Sequence, residues 1–278
     1  MMEELVRLVA SLSEKPWGQT NVPHQRAGEA DTRIGEVAFH HPGGIDMPVL
    51  IKYLYTSERL SIQVHPNDEQ ARASGHACGK DEMWIVLDAE PGATIGLGLK
   101  RDCKPHEFAE AVLDGSVVDL IDWRPTKVGD VIYNKAGTIH AAGAGLVLLE
   151  VQQSIDLTYR LYDYGRPREL HLEEGLKVSR FGRHDPALDC SIADGKSSIL
   201  ANGPYFGAAW CAGELPAGLP AQAADWQVVV VSGTLDFEGQ TIGSGEAFHT
   251  HSLMGLKLPA DTTVLLAWPM QEAMARAA

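Results

Sequence analysis

The stretch LSIQVHPNDEQARASGHACGKDEMWIVLD, from Leu60 to Asp88, puts an amide, an imidazole and a carboxylate beside two apolar runs. Leu60, Ile62 and Val64 alternate with Ser61, Gln63 and His65, the period of a strand with one buried face. Side chains two apart on a strand share a face, so Gln63 and His65 point the same way, and Lys80 and Glu82 do so as the next run begins. Further on, GDVIYNKAGTIHA (129–141) supplies Gly129, Gly137 and His140, with His140 just after a tight turn at a strand start. Imidazole and carboxylate stay ligand-competent near neutral pH. Two imidazoles, a carboxylate and an amide oxygen make a mixed N/O shell, which suits zinc and equally Mn²⁺, Fe²⁺ or Co²⁺.

Charged groups stand near this set. Lys52 lies in MPVLIKYLY, an otherwise apolar strand. A Lys there is costly to bury unpaired, or else sits on the open face of an edge strand. After the run 145–153, Glu150, Gln152, Ser154, Asp156, Thr158 and Arg160 share even parity, and they line one face if the chain stays extended.

The elements that must hold these residues read as mainly β. MPVLIKYLY, RLSIQVH, MWIVLD, ATIGLGL, DVIYN and GLVLLEVQQ are short apolar runs parted by Gly and Pro, the grammar of a sandwich or barrel. HEFAEAVL (106–113) reads as a helical interruption, and residues 2–12 as a short amphipathic helix. The spacing predicts two jelly-roll modules: 1–165 with the metal site, a polar connector over 166–200, and a stripped-down β module over 201–278. The second module carries His249 and His251 without a matching Glu or later His, so their expected role is structural. His24, His40, His41, His76, His106, His171 and His184 read as surface or loop residues.

With 278 residues, 45% hydrophobic and 22% charged, the chain is long enough for a substantial core. A formal charge of −14 argues against a general surface for nucleic acid or an anionic membrane, while leaving room for a local basic pocket for a small anion. Four scattered cysteines without a CxxC fit a reducing compartment, and no signal peptide or membrane span is expected, so the expectation is a cytoplasmic protein.

The two ligand clusters resemble the paired metal motifs of the cupin superfamily, with Lys135 where a Pro is usual and Ala144 where an Asn often follows the His. QVHPND, GKDEMWIVLDAEPGA, GTIHA and QQSIDLTYRLYDYGR, in that order over about residues 15–166, resemble type I mannose-6-phosphate isomerase. The resemblance implies zinc held by Gln63, His65, Glu82 and His140. It implies an active-site Glu, Asp and essential Arg at Glu150, Asp156 and Arg160, with Lys52, Lys80 and Glu36 beside a sugar phosphate. The reaction implied is interconversion of mannose 6-phosphate and fructose 6-phosphate through a cis-enediol, with Lys80, Lys52, Glu150 or a metal-bound water moving the proton. Two departures bear on the pocket. Val37, Ala38 and Phe39 follow Glu36 where a Trp is usual, and 101–126 has room for only a small helical insertion. The alternatives are a regulatory cupin that binds a sugar phosphate without turnover, an isomerase of another sugar phosphate, and an Fe²⁺ cupin oxygenase.

Overall fold

A computed structural model describes residues 5–25, 31–192, 195–221 and 223–270. The described chain is mainly β, with a few short helices. Its strands form a seven-stranded, a five-stranded and a six-stranded sheet and a small hairpin, antiparallel throughout their named pairings. None of the described helices is long and apolar enough to cross a membrane.

The first jelly roll faces the seven-stranded sheet against the five-stranded one. Strand alternation divides each inner and outer face. On Val49–Thr56, Ile51, Tyr53 and Tyr55 enter the core shared with the second module, while Lys52 and Leu54 point into the jelly roll. On Glu82–Ala89, Met83 and Ile85 go outward, and Glu82, Trp84 and Val86 inward. On Leu146–Gln153, Leu149 and Val151 go outward, and Leu146, Leu148 and Glu150 inward. Burying both faces explains why these strands read as near-continuous apolar runs, interrupted at inward positions by Lys52, Glu82 and Glu150.

The shared core joins the modules. Ile51, Leu149 and Val151 of the first pack in one cluster with Phe206, Val229 and Leu265 of the second. The stretch 166–200 is more than polar linker. It holds the helix Leu172–Val178 and the strand Asp189–Ser191, which adds an edge to the seven-stranded sheet by pairing with Asp130–Asn134. The expected helix at 106–113 is present as Pro105–Asp114, and a second short helix, Val117–Leu120, follows it.

The helix expected over 2–12 is overturned where the residues are described. Val6–Arg7 and Val9–Gln19 are strands. Leu5 and Leu8 mimic a helical stripe because they enter two different cores. Val6 pairs with His249 in the second module's sheet, and Val9 pairs with His40 in the first. Tertiary pairing outweighs the weak local preference. His184 departs from its surface reading as well: it is buried, with Nε2 2.7 Å from Asp189 Oδ1.

Candidate metal centre and its cavity

Two rows of cross-strand partners meet inside the first jelly roll. On one sheet Lys52, Glu150 and Trp84 sit directly opposite one another, and Glu82 opposes Gln152 one step along. On the other, Arg160, Gln63 and His140 form a row. His65 follows the strand Ile62–Val64. The loop after it closes through the helix Asp68–Ala73, capped by Asn67, and returns with Lys80 N donating to Pro66 O at 3.0 Å. The long spacer therefore delivers Lys80 and Glu82 back beside His65. Gly137, at φ +85°, makes the turn before His140 and donates its amide to His65 O at 2.8 Å, a conformation that disfavours any side chain.

His65, Glu82 and His140 are buried, with donor atoms close to one another. His65 Nε2 lies 3.3 Å from Glu82 Oε2, and His140 Nε2 lies 3.1 Å from Glu82 Oε1. Each imidazole directs Nδ1 at a backbone carbonyl, Leu157 O at 2.9 Å for His65 and Thr138 O at 2.8 Å for His140. Those carbonyls can only accept, so each Nδ1 carries the proton and each Nε2 presents a lone pair to a carboxylate. Burial first, and Lys80 next, pull the His65 imidazole down to about 3, which keeps it neutral. A cation between them would satisfy lone pairs that converge on carboxylate oxygens in a dry interior, and fixing Nδ1 on a carbonyl is how metal-ligating histidines are oriented. His65 Nε2 accordingly has no hydrogen-bond partner. These three residues fit a divalent ion. Gln63 stands next to them with Nε2 3.3 Å from His140 Nε2, while its Oε1, the atom a cation needs, accepts from Ser61 Oγ at 3.2 Å.

Charge surrounds this centre. Lys80 Nζ is 2.8 Å from Glu82 Oε2 and 3.8 Å from Glu150 Oε1. The Glu82 contact is a buried ion pair. Lys52 Nζ lies 3.7 Å from Glu150 Oε2 and 3.8 Å from Glu36 Oε2, so its reading as an exposed edge residue is excluded; it is buried. Burial, the largest single effect, would raise the Glu82 carboxyl, but the Lys80 ammonium together with the His65 and His140 rings outweighs it and holds the group well below the carboxylate range. Burial would likewise lower Lys80, yet Glu150 and Glu82 keep it above its usual value. Glu150 goes the other way: burial first, and Glu82, push it up against the pull of Lys80 and Lys52. Isolated, each buried charge would cost several kcal/mol, so a balanced cluster of two Lys and two Glu is weak as a source of stability and points to chemistry.

The cavity above this cluster is lined by Gln63, Lys52, Lys80, Glu36, Glu150, Asp156, Thr158 and Arg160 among others. The parity argument for 150–160 holds in part. The chain crosses from one sheet to the other between Gln153 and Tyr159, so Ser154 faces solvent and Gln152 donates to the Gln153 and Ile155 carbonyls. Asp156 is exposed at the mouth. Arg160 is half-buried, donates Nη1 to Glu169 O at 2.7 Å and leaves a buried Nε–H without a partner.

Several cavity residues escaped the sequence. Lys15 pairs with Glu36 at 3.1 Å, and Trp17 supplies an indole from the strand beside Glu36. Val37 and Phe39 turn into the shared core instead. Arg168 also lines the cavity, although Arg166-Pro167-Arg168 had the composition of a linker. The buried Asp163 holds it, accepting from Arg168 Nε at 2.6 Å and Nη2 at 2.7 Å and from Arg166 Nη1 at 3.1 Å. Asp163→Ala is expected to lower stability by about 2 kcal/mol, the scale of lost charge-assisted hydrogen bonds, measured as a shift in denaturant midpoint at unchanged slope.

No protein-family model matches the chain. Among curated proteins, a mannose-6-phosphate isomerase of Streptococcus mutans is 36% identical over 167 residues, 57% of this chain and 52% of that protein. A mannose-6-phosphate isomerase of Bacillus subtilis is 39% identical over 142 residues, 49% of this chain and 45% of that protein. The chain resembles mannose-6-phosphate isomerases. These matches span about half the length of the relatives. In three dimensions, the crystal structure of the mannose 6-phosphate isomerase from Bacillus subtilis aligns with a TM-score of 0.78 at 24% identity, covering 95% of this chain and 99% of that one. At that identity the likeness is one of fold.

Proposed function

We propose that the protein is a metal-dependent aldose–ketose isomerase that interconverts mannose 6-phosphate and fructose 6-phosphate through a cis-enediol. The observation that carries this reading is the convergence of the His65 and His140 lone pairs on Glu82 at the floor of a cavity walled by Lys52, Lys80, Glu150 and Arg160. The sequence similarity to mannose-6-phosphate isomerases supports the substrate.

His65, Glu82 and His140 would hold a divalent ion, with Gln63 beside them as the candidate fourth ligand; zinc suits the shell. When bound, the ion would supply Lewis acidity toward the sugar's oxygens. Glu150 moves the proton between C2 and C1. Its raised pKa brings a carboxylate closer to the operating range of a general base, whereas Lys80 is held as the ammonium and cannot accept a proton. Lys80 and Lys52, the cations beside Glu150, stabilise the charge that develops on the enediolate. Arg160 offers its unpartnered Nε–H and the rest of its guanidinium to the phosphate near the mouth. Asp156 and Glu36 bound the sugar from the mouth and the wall.

The catalytic module is 1–165 and the second β module supports it. A coupled assay across a panel of hexose and pentose phosphates tests the function. Mannose 6-phosphate is expected to give the highest kcat/KM, and absence of turnover on it with metal present overturns the reading. Glu150→Gln is expected to lower kcat by about 10²–10⁴-fold while bound metal is retained, checked by elemental analysis beside single-substrate kinetics.

A further inference from the structure

A second trio of metal-competent side chains lies outside the cavity. His249 and His251 share a face at the end of the strand Ala247–Thr250. Trp226 pairs with Thr250, so the next residue outward on the neighbouring strand is Asp225, which falls between the two imidazoles. Asp225 Oδ1 is 3.2 Å from His249 Nε2 and 3.3 Å from His251 Nδ1, and the two rings stand perpendicular with centroids 4.8 Å apart. The donor atoms of the trio lie within 4.8 Å of one another. Metal bonds of about 2.0–2.2 Å put tetrahedral ligands roughly 3.3–3.6 Å apart, close to the 3.2 Å between His249 Nε2 and Asp225 Oδ1.

The Asp225 carboxylate also lies within hydrogen-bonding reach of His249 Nε2, at 3.2 Å. His251 Nδ1 is 2.7 Å from Ala224 O, an acceptor, so its proton is committed there, its 3.3 Å approach to Asp225 is not a ligating one, and Nε2 is the atom left with a lone pair for a metal. His249 is buried. His249 lies on the side of its strand turned to the first module. Its cross-strand partner Gln227 donates to Val49 O, Ala247 two residues back belongs to the shared core, and the His41 ring stands 6.3 Å away, edge to face.

We propose that Asp225, His249 and His251 form a second divalent-metal site of zinc-type N/O chemistry at the seam of the two modules, with a fourth place open to water. Its role is structural: it ties the start of Trp226–Ser232 to the end of Ala247–Thr250. It stands independently of the catalytic reading, because it shares no residue with the cavity.

The full chain, stripped with chelator and titrated with Co²⁺, tests this by equilibrium dialysis and visible absorption. Wild type is expected to take up two ions with tetrahedral spectra. His251→Gln and Asp225→Asn are each expected to take up one and to keep mannose 6-phosphate turnover, and His140→Ala to take up the other one. His251 is exposed, so its variant is expected to melt within a few degrees of the stripped wild type. Uptake of two ions by both seam variants, or of a single ion by wild type that His140→Ala removes, overturns the proposal. Unchanged uptake in His140→Ala would instead refute the first site and leave this one intact.

Discussion

Glu82→Gln is expected to abolish tight divalent-metal binding and to lower mannose 6-phosphate turnover by about 10³-fold, the scale of removing a preorganised charge from an active site. Glu82 is the one carboxylate that both imidazoles face, with one oxygen at 3.3 Å from His65 Nε2 and the other at 3.1 Å from His140 Nε2. An amide in its place presents N–H₂ to one of the two lone pairs and removes the charge that draws a cation in. It also leaves the buried Lys80 with Glu150 at 3.8 Å as its nearer remaining carboxylate. Stranding a buried charge altogether costs about 3–5 kcal/mol, so with Glu150 still present the variant is expected to lose less than that and to fold. Elemental analysis of purified Glu82→Gln, beside a melting curve, separates the effects. Full metal content in the folded variant would refute the ligand role.

Arg160→Ala is expected to lower kcat/KM by about 10²–10³-fold while stability falls by only about 1 kcal/mol. In the fold, Arg160 makes one side-chain hydrogen bond, Nη1 to Glu169 O, from a half-buried position on a strand whose pairing with Ile62–Val64 runs through the backbone. Little of the fold rests on its guanidinium. Its unpartnered buried Nε–H and its place on the cavity wall are directed at an anion, whose loss is felt in substrate binding and turnover. A melting temperature that collapsed in step with activity would make Arg160 structural. Metal content is expected to stay at the wild-type level, which distinguishes this variant from Glu82→Gln.

Much of the fold was legible because buried strands announce themselves as short apolar runs, and the odd-versus-even positions of Lys52, Glu82 and Glu150 follow from strand alternation alone. Strand register, which local alternation does not show, brings Gln63, His140 and Arg160 to one row on the second sheet. What local periodicity could not show was where the chain changes partners. Leu5 and Leu8 feed two cores, which counterfeits a helix, and the crossing after Gln153 turns Ser154 out to solvent within an apparently continuous face. Lys15, Trp17 and Arg168 were hidden for a related reason. Each reaches the cavity through pairing or ion contacts with residues far away in sequence, Glu36 for Lys15 and Asp163 for the Arg168 guanidinium. Asp225 escaped as a partner of His249 and His251 because only strand register brings it to them.

Metal-dependent isomerisation is tested most directly by assaying mannose 6-phosphate turnover in protein stripped with chelator and then resupplied with Zn²⁺. Turnover is expected to vanish with the ion and to return on its addition, while the stripped protein stays folded. Full turnover in protein shown by elemental analysis to be free of metal would contradict the account.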